Sequence, residues 1–495
     1  MLYRCGRVSR STFIVAAVLL VFGSFAHAAE DGALVRLLGS PPLRGARVGL
    51  LVIDRETGQE LLAHGASRPL VPASTVKLVT AAAALAHLGP AHRFETPVLG
   101  ATALTRRGVL EGDLWVVGRG DPSLVSEELW RLAEELRILG LREVRGRIAV
   151  DATYLDRVLL HPGWAKPSRR AYHAPVSAFS ANYSSFRIDV SPGSDLGQPL
   201  ALVVAPRIPY FHLEPGGRTL ARPGNIHLEL IRTPDGLGEI VRARGSMQPG
   251  EAPRTYWRSV VSPEIYAAEL LRSQLEAQGI VVRGRGVRVG SAPESAHELL
   301  RFRGETLGRI VWKLNKFSNN FIAEQLTKTL GAERFGPPGS WSKGLRALRE
   351  HLDEIGGLGP GERLVDGSGL APRNRLSAAT LVRVLRSAAS RFDSGPEFLA
   401  SLPLGGKDGT LEDRLEEHSI PLRAKTGHLS GVAALCGTFT DREGRVRLFA
   451  ILVNGARGSA EKVDEVIDSF VAQIAGVADL PDQGAVGAGS AARTR

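Results

Sequence analysis

Strand-forming sequence stands at both ends of this chain, with helix-forming sequence between. Near the start, Arg47–Asp54 is an apolar β-rich run, Arg55-Glu-Thr-Gly58 a turn and Gln59–Ala63 a returning strand. Near the end come Leu422–Thr426, Val432–Phe439 and Val446–Val453, the last two joined by the turn Asp441-Arg-Glu-Gly444. Helical patterns fill Thr75–Leu85, Leu307–Thr329, Trp341–Ile355 and Ala378–Ala389, and a last helix covers Lys462–Ala475. Two strands from one end and three from the other bury their apolar faces together most simply as one antiparallel sheet flanked by helices.

Between Phe94 and Val289 the texture changes to short β-rich runs punctuated by Gly, Pro and Asp, such as Leu114–Val117, Ile148–Val150, Phe186–Val190 and Leu200–Val204. Helical patterns there are confined to Ser126–Ile138 and Pro263–Gln278. With 495 residues, the chain is longer than one core usually holds. The fold class expected is α+β, a domain made of both chain ends carrying mainly β insertions. The boundaries read from the sequence are 29–93 with 304–480 for the outer domain, 94–165 with 265–303 for a first inserted domain and 166–264 for a second nested in it. Residues 481–495, rich in Gly and Ala, read as a disordered tail.

The first 28 residues read as a secretory signal peptide. Arg4, Arg7 and Arg10 precede an apolar stretch, Phe13–Phe25, and Ala26-His-Ala28 suits a signal peptidase. Cleavage there would leave Cys436 as the single cysteine, so no internal disulfide can form in the periplasm, the expected location. Cys436 sits in the apolar run Gly431–Cys436 and reads as a small core residue. The net charge of +11 fits a peripheral association with membrane or wall polymers. It does not point to nucleic acid, since basic arms, zinc spacings and basic-aromatic interleaving are missing from the sequence. No cofactor or metal is expected.

Three motifs occur in order: Ser74-Thr-Val-Lys77, Ser318-Asn-Asn320 and Lys425-Thr-Gly427. No single piece is specific. S-x-x-K recurs at Ser340–Lys343 and Ser459–Lys462, and S-x-N recurs at Ser180–Asn182. Alone, Ser74 could cap a helix above a snorkelling lysine. Together the motifs read as a serine acyl-transfer site. Ser74 and Lys77 lie one turn apart on one helix face, and the apolar helix that follows should bury the lysine and keep it neutral enough to act as a base. Ser318 would pass a proton to the leaving amine, and Asn320 would hold a substrate amide. Lys425 and Thr426 would grip a terminal carboxylate from a strand, with Gly427 permitting close backbone approach.

With these motifs and their flanks the chain resembles the low-molecular-mass penicillin-binding proteins of the D-alanyl-D-alanine carboxypeptidase/endopeptidase type with large inserted domains. The matching segments are Leu314-Asn-Lys-Phe-Ser-Asn-Asn-Phe-Ile-Ala-Glu324, Asp366-Gly-Ser-Gly-Leu370, Arg373-Asn-Arg-Leu-Ser377, Gly118-Arg-Gly-Asp-Pro122, Ala174-Pro-Val-Ser177 and Asp408-Gly-Thr-Leu411. The resemblance implies a transpeptidase/β-lactamase-like domain and an exported enzyme that acts on peptidoglycan stem peptides through an acyl-enzyme on Ser74. It also implies that β-lactams act as covalent inhibitors. Two positions depart from the family pattern. His428 stands where Ser or Thr usually follows Lys-Thr-Gly, and its backbone N–H is expected to complete an oxyanion hole. In Gly163–Tyr172 the usual acid for a substrate ammonium is replaced by a basic run containing Arg169 and Arg170, which would repel that ammonium. The rival readings are a β-lactamase and a catalytically weak wall protein that keeps the fold. Against the first, no convincing Glu-x-x-Leu-Asn-like segment for a deacylating water stands in the expected region, and the large insertion is atypical of that class.

Overall fold

The structure is a computed structural model that describes residues 32–164, 166–416 and 420–476. The expected signal peptide and most of the C-terminal segment lie outside the described residues. Two compact units are formed. One comprises the chain up to Leu70, Ser377–Val382 and the chain from Pro403 on; the other comprises Val71–Leu376 and Arg383–Leu402.

The first unit holds the sheet built from both chain ends. Its strand order is Leu422–Leu429, Val432–Thr440, Val446–Asn454, Arg47–Asp54, Glu60–His64, and every pair is antiparallel. N- and C-terminal sequence meet along eight register pairs from Arg47↔Asn454 to Asp54↔Arg447. Two of its three tight turns are closed by an aspartate that accepts following backbone N–H groups: Asp54 those of Glu56 and Thr57, Asp441 those of Glu443 and Arg445. On one face Leu50, Val52, Leu435, Phe449 and Ile451 pack with Val463, Ile467 and Phe470 of the helix Ala460–Ile474. Cys436 is buried in this sheet, and burial pushes its thiol pKa far up, as a small core residue requires.

Arg447 ties the two ends together. It lies between Asp54, at 2.5 Å, and Asp441, at 2.8 Å, and is itself almost fully buried. Removing one partner from a buried ion cluster leaves the others unpaired in a poor dielectric. Arg447→Met should therefore cost about 3 kcal/mol of stability, read as a lowered denaturant midpoint in chemical unfolding. An unchanged midpoint would mean that water replaces the guanidinium without penalty.

The second unit holds the insertion and a helical block. A five-stranded sheet runs Val287–Val289, Ile148–Asp151, Leu114–Val117, Arg93–Gly100, His297–Thr306. The insertion is mainly β, but its helices have a definite job. Ser126–Ile138 links two parallel strands, and Pro263–Ala277 precedes the parallel strand Val287–Val289. Parallel neighbours need such long crossovers. Two three-stranded sheets follow from the middle of the insertion: Arg254–Ser259, Ser185–Ser191, Ala201–Ala205, and Phe211–Glu214, Glu239–Arg244, His227–Arg232. The helices Lys77–Leu88, Leu307–Lys316, Asn320–Phe335 and Trp341–Glu354 form the block that carries the chemistry below.

Candidate active site

Ser74 lies in a 3₁₀ turn, Ala73–Val76, and Lys77 opens the α-helix Lys77–Leu88. The one-turn spacing survives this change from the expected helix start. Ala73, directly before Ser74, has φ +47°, a left-handed conformation costly for a residue with a Cβ. The strain is held in place by a close backbone approach. At Gly369 (φ +83°) a Cβ would come within 1.8 Å of the Ala73 carbonyl oxygen, so only glycine fits.

Lys77 is fully buried. Its Nζ reaches three oxygens: Ser74 Oγ at 2.9 Å, Asn320 Oδ1 at 2.7 Å and the Ser368 carbonyl at 2.6 Å. Burial among the apolar residues of its helix lowers its pKa to about 7, while Asp366 and Glu324 pull it back up. An ammonium has three protons, and three acceptors are present. A neutral amine has two protons and a lone pair. Asn320 Oδ1 and the Ser368 carbonyl can only accept, whereas a hydroxyl can also donate. The neutral lysine must therefore turn its lone pair to Ser74.

Ser318 and Asn320 flank a break in what the sequence reads as one helical stretch. Leu307–Lys316 ends, Ser318 takes φ +52°, and Asn320–Phe335 begins, capped by Asn319 through the Ile322 N–H. Asn320 uses both ends of its amide, Oδ1 toward Lys77 and Nδ2 toward the Tyr172 carbonyl at 3.1 Å. One Nδ2 proton stays available.

The structure brings Ser74, Lys77 and Asn320 into direct contact and sets Ser318 two residues from Asn320. The competing motifs have different geometry. Ser340 and Ser459 are N-caps that accept the backbone N–H of Lys343 and Lys462. The Lys343 ammonium goes to the carbonyls of Gly336 and Pro338. Asn182 is pinned by Ser126 and Tyr266.

Lys425, Thr426, Gly427 and His428 belong to the other unit, on the outermost strand of its sheet. Lys425 is buried, with Nζ 2.8 Å from the Thr426 carbonyl. The Thr426 hydroxyl bonds that of Thr410 at 2.7 Å. His428 turns its ring toward the helix Ala460–Ile474, with Nε2 at 2.9 Å from both oxygens of Asp464. In the basic run near Tyr172, Arg169 is also committed. Arg169 pairs with the buried Glu239 and bonds the Ser259 carbonyl at 2.7 Å, so its charge is matched inside the insertion.

Sequence reasoning assigned no role to the groups beneath Lys77. Asp366 is fully buried and accepts four N–H bonds, from Gly369 (2.8 Å), Ala371 (2.6 Å), the Asn374 amide (2.8 Å) and Trp164 Nε1 (3.0 Å). Glu324 accepts from the Ser368 N–H at 2.9 Å and Trp341 Nε1 at 2.7 Å. Burial, with Asp366 close by, raises its carboxyl to about 8. A lone glutamate in the otherwise apolar stretch Phe321–Leu326 was the available signal.

The profile of the D-Ala-D-Ala carboxypeptidase 3 (S13) family matches residues 31–475. The chain belongs to this family. It is accordingly a serine-type peptidase of the D-Ala-D-Ala carboxypeptidase class. It is 35% identical over 458 residues to the D-alanyl-D-alanine carboxypeptidase of Actinomadura sp. (strain R39), covering 89% of this chain and 84% of that one. In fold it resembles crystalline penicillin-binding protein 4 of Haemophilus influenzae, with a TM-score of 0.75 at 24% identity over 89% of this chain and 97% of the other. A crystal structure of the same Haemophilus protein in complex with a β-lactam gives a TM-score of 0.71 at 24% identity, covering 87% of this chain and 94% of that one. The antiparallel sheet of N- and C-terminal strands in an α+β chain thus agrees with the fold read from the sequence. Among the described residues no helix is long and apolar enough to cross a membrane.

Proposed function

We propose that the chain is an exported enzyme that acts on peptidoglycan stem peptides as a D-Ala-D-Ala carboxypeptidase, a DD-endopeptidase or both, with Ser74 as nucleophile and Lys77 as its base. One observation carries this reading: a buried lysine amine, with a pKa near 7, lies 2.9 Å from the Ser74 hydroxyl. Ser74 Oγ attacks the carbonyl carbon of the penultimate D-Ala, and its proton passes to Lys77 Nζ. The C–N bond then breaks, and the departing amine takes a proton delivered through Ser318. Water attacks the resulting ester by the reverse path and frees Ser74. Asn320 offers its remaining Nδ2 proton to a substrate carbonyl.

The strand Leu422–Leu429 supports the other half of the reading. Within its unit the outer edge is paired by Pro403 and Leu404 at Ala424 and Arg423. In this reading Lys425 and Thr426 take the terminal carboxylate of an extended peptide and the His428 N–H takes the oxyanion. With its ring held by Asp464, His428 offers its backbone rather than a hydroxyl. β-Lactams would acylate the same serine. Export to the periplasm and peripheral contact with membrane or wall follow from the N-terminal sequence and the basic charge.

The test is release of D-Ala from a D-Ala-D-Ala peptide and from the same peptide amidated at its C-terminus. We expect release from the acid and a large loss with the amide. The loss should shrink in Lys425→Ala, where the charge partner is already gone. Equal sensitivity in both proteins would contradict the carboxylate contact. Rapid hydrolysis of penicillin without D-Ala release would favour a β-lactamase.

A further inference from the structure

The peptide between Ser368 and Gly369 is gripped at both ends. Its carbonyl accepts from Lys77 Nζ at 2.6 Å, and its N–H donates to Asp366 Oδ1 at 2.8 Å. The preceding peptide N–H, that of Ser368, goes to Glu324 at 2.9 Å. Gly369 presses this segment onto the Ala73–Ser74 backbone, leaving it no freedom to swing. An acceptor carboxylate on one end of a peptide polarises the other, and makes the carbonyl a stronger acceptor.

We propose that Asp366 is a positioning residue for the acylation base: acting through the 368–369 peptide, it fixes the direction in which Lys77 presents its lone pair to Ser74. The proposal rests on the Ser74–Lys77 reading above. A neutral Lys77 keeps two N–H bonds, to Asn320 Oδ1 and the Ser368 carbonyl, and these two bonds orient the lone pair. Asn320 is set by the Tyr172 carbonyl, and the Ser368 carbonyl by Asp366. Asp366 is in turn fixed by Trp164, Ala371 and Asn374, so it has no slack of its own. Within this unit Asp366 and, once its raised carboxyl ionises, Glu324 act on Lys77, and both favour its ammonium form. His161 also faces Asp366, and burial lowers its pKa, which keeps it neutral.

The experiment is the rate of penicillin acylation of the intact protein between about pH 5 and pH 10, in wild type and Asp366→Asn, with folding checked by circular dichroism. A lysine base works when neutral, so the wild-type rate should rise with pH through Lys77's ionisation. In Asp366→Asn the plateau should fall about tenfold or more, because the lone pair is no longer aimed. The midpoint should also move to lower pH, because an anion that favoured the ammonium is gone. A folded variant with the wild-type plateau rate constant would overturn the proposal, since an aspartate acting only by its charge moves the midpoint and a merely structural one changes only the amount of active protein. Should Asp366→Asn fail to fold, Asp366→Ser removes the charge without aiming an amide N–H at another donor, and is read in the same way. Loss of folding in both would mark the carboxylate as a folding element and overturn the positioning role. Failure of the underlying reading looks different: the wild-type profile would be flat, or labelling would survive Ser74→Ala.

Discussion

Lys77→Arg should lower the rate of penicillin acylation by roughly 10²- to 10⁴-fold while leaving the protein folded. Arginine keeps the positive charge and can still bond Asn320 and the Ser368 carbonyl, but it does not deprotonate in proteins. The substitution therefore removes the base and little else. The native lysine can act because burial brings it to about 7, where a large fraction of the amine is neutral near physiological pH. The sign is fixed by the chemistry. The wild-type rate rises with pH as the ammonium loses its proton, and the arginine variant should be slow with no rise near 7. Stopped-flow acylation across pH checks both features. A variant that reacts within a few-fold of wild type would remove Lys77 from the mechanism.

Much of this site could be read from residue spacing because its parts are local. Ser74 and Lys77 are one turn apart, so the sequence alone brings their side chains to one face. The hairpin Arg47–His64 and the three C-terminal strands carry their turns with them, and the turns at Asp54 and Asp441 use the aspartate their position calls for. What separates Ser74 from Ser340 and Ser459 is tertiary. Each of those two caps a helix at the same spacing, and only the packing around Lys77 removes its solvent and turns its amine to the serine. The irregular turn that lets Ser318 and Asn320 project together is legible in the polar Ser-Asn-Asn interruption of Leu307–Thr329; the left-handed φ of Ser318 has no signature in composition.

The support beneath Lys77 was out of reach in another way. Glu324 and Asp366 lie 42 residues apart in sequence and further from Lys77, and they meet it through main chain that belongs to neither, Asp366 at the 368–369 peptide and Glu324 at the Ser368 N–H. Main-chain acceptors are the same at every position, so no residue type marks Ser368 as a partner of the lysine. Arg169 gives the opposite lesson. Read as a bare charge, it should repel a substrate ammonium, but the buried Glu239 takes it up. A charge run tells the sign of a surface only after its internal partners are counted.

Everything in this account depends on Ser74 being the residue that takes the acyl group. The most direct measurement is mass spectrometry of the intact protein after reaction with penicillin, followed by mapping of the modified peptide, in wild type and Ser74→Ala. Penicillin opens its ring on attack, so the adduct carries the whole drug and no leaving group. One penicilloyl adduct per chain is expected in the wild type, on the peptide containing Ser74, and no adduct on a folded Ser74→Ala protein. Labelling that persists in the variant, or that maps to Ser340 or Ser459, would contradict it.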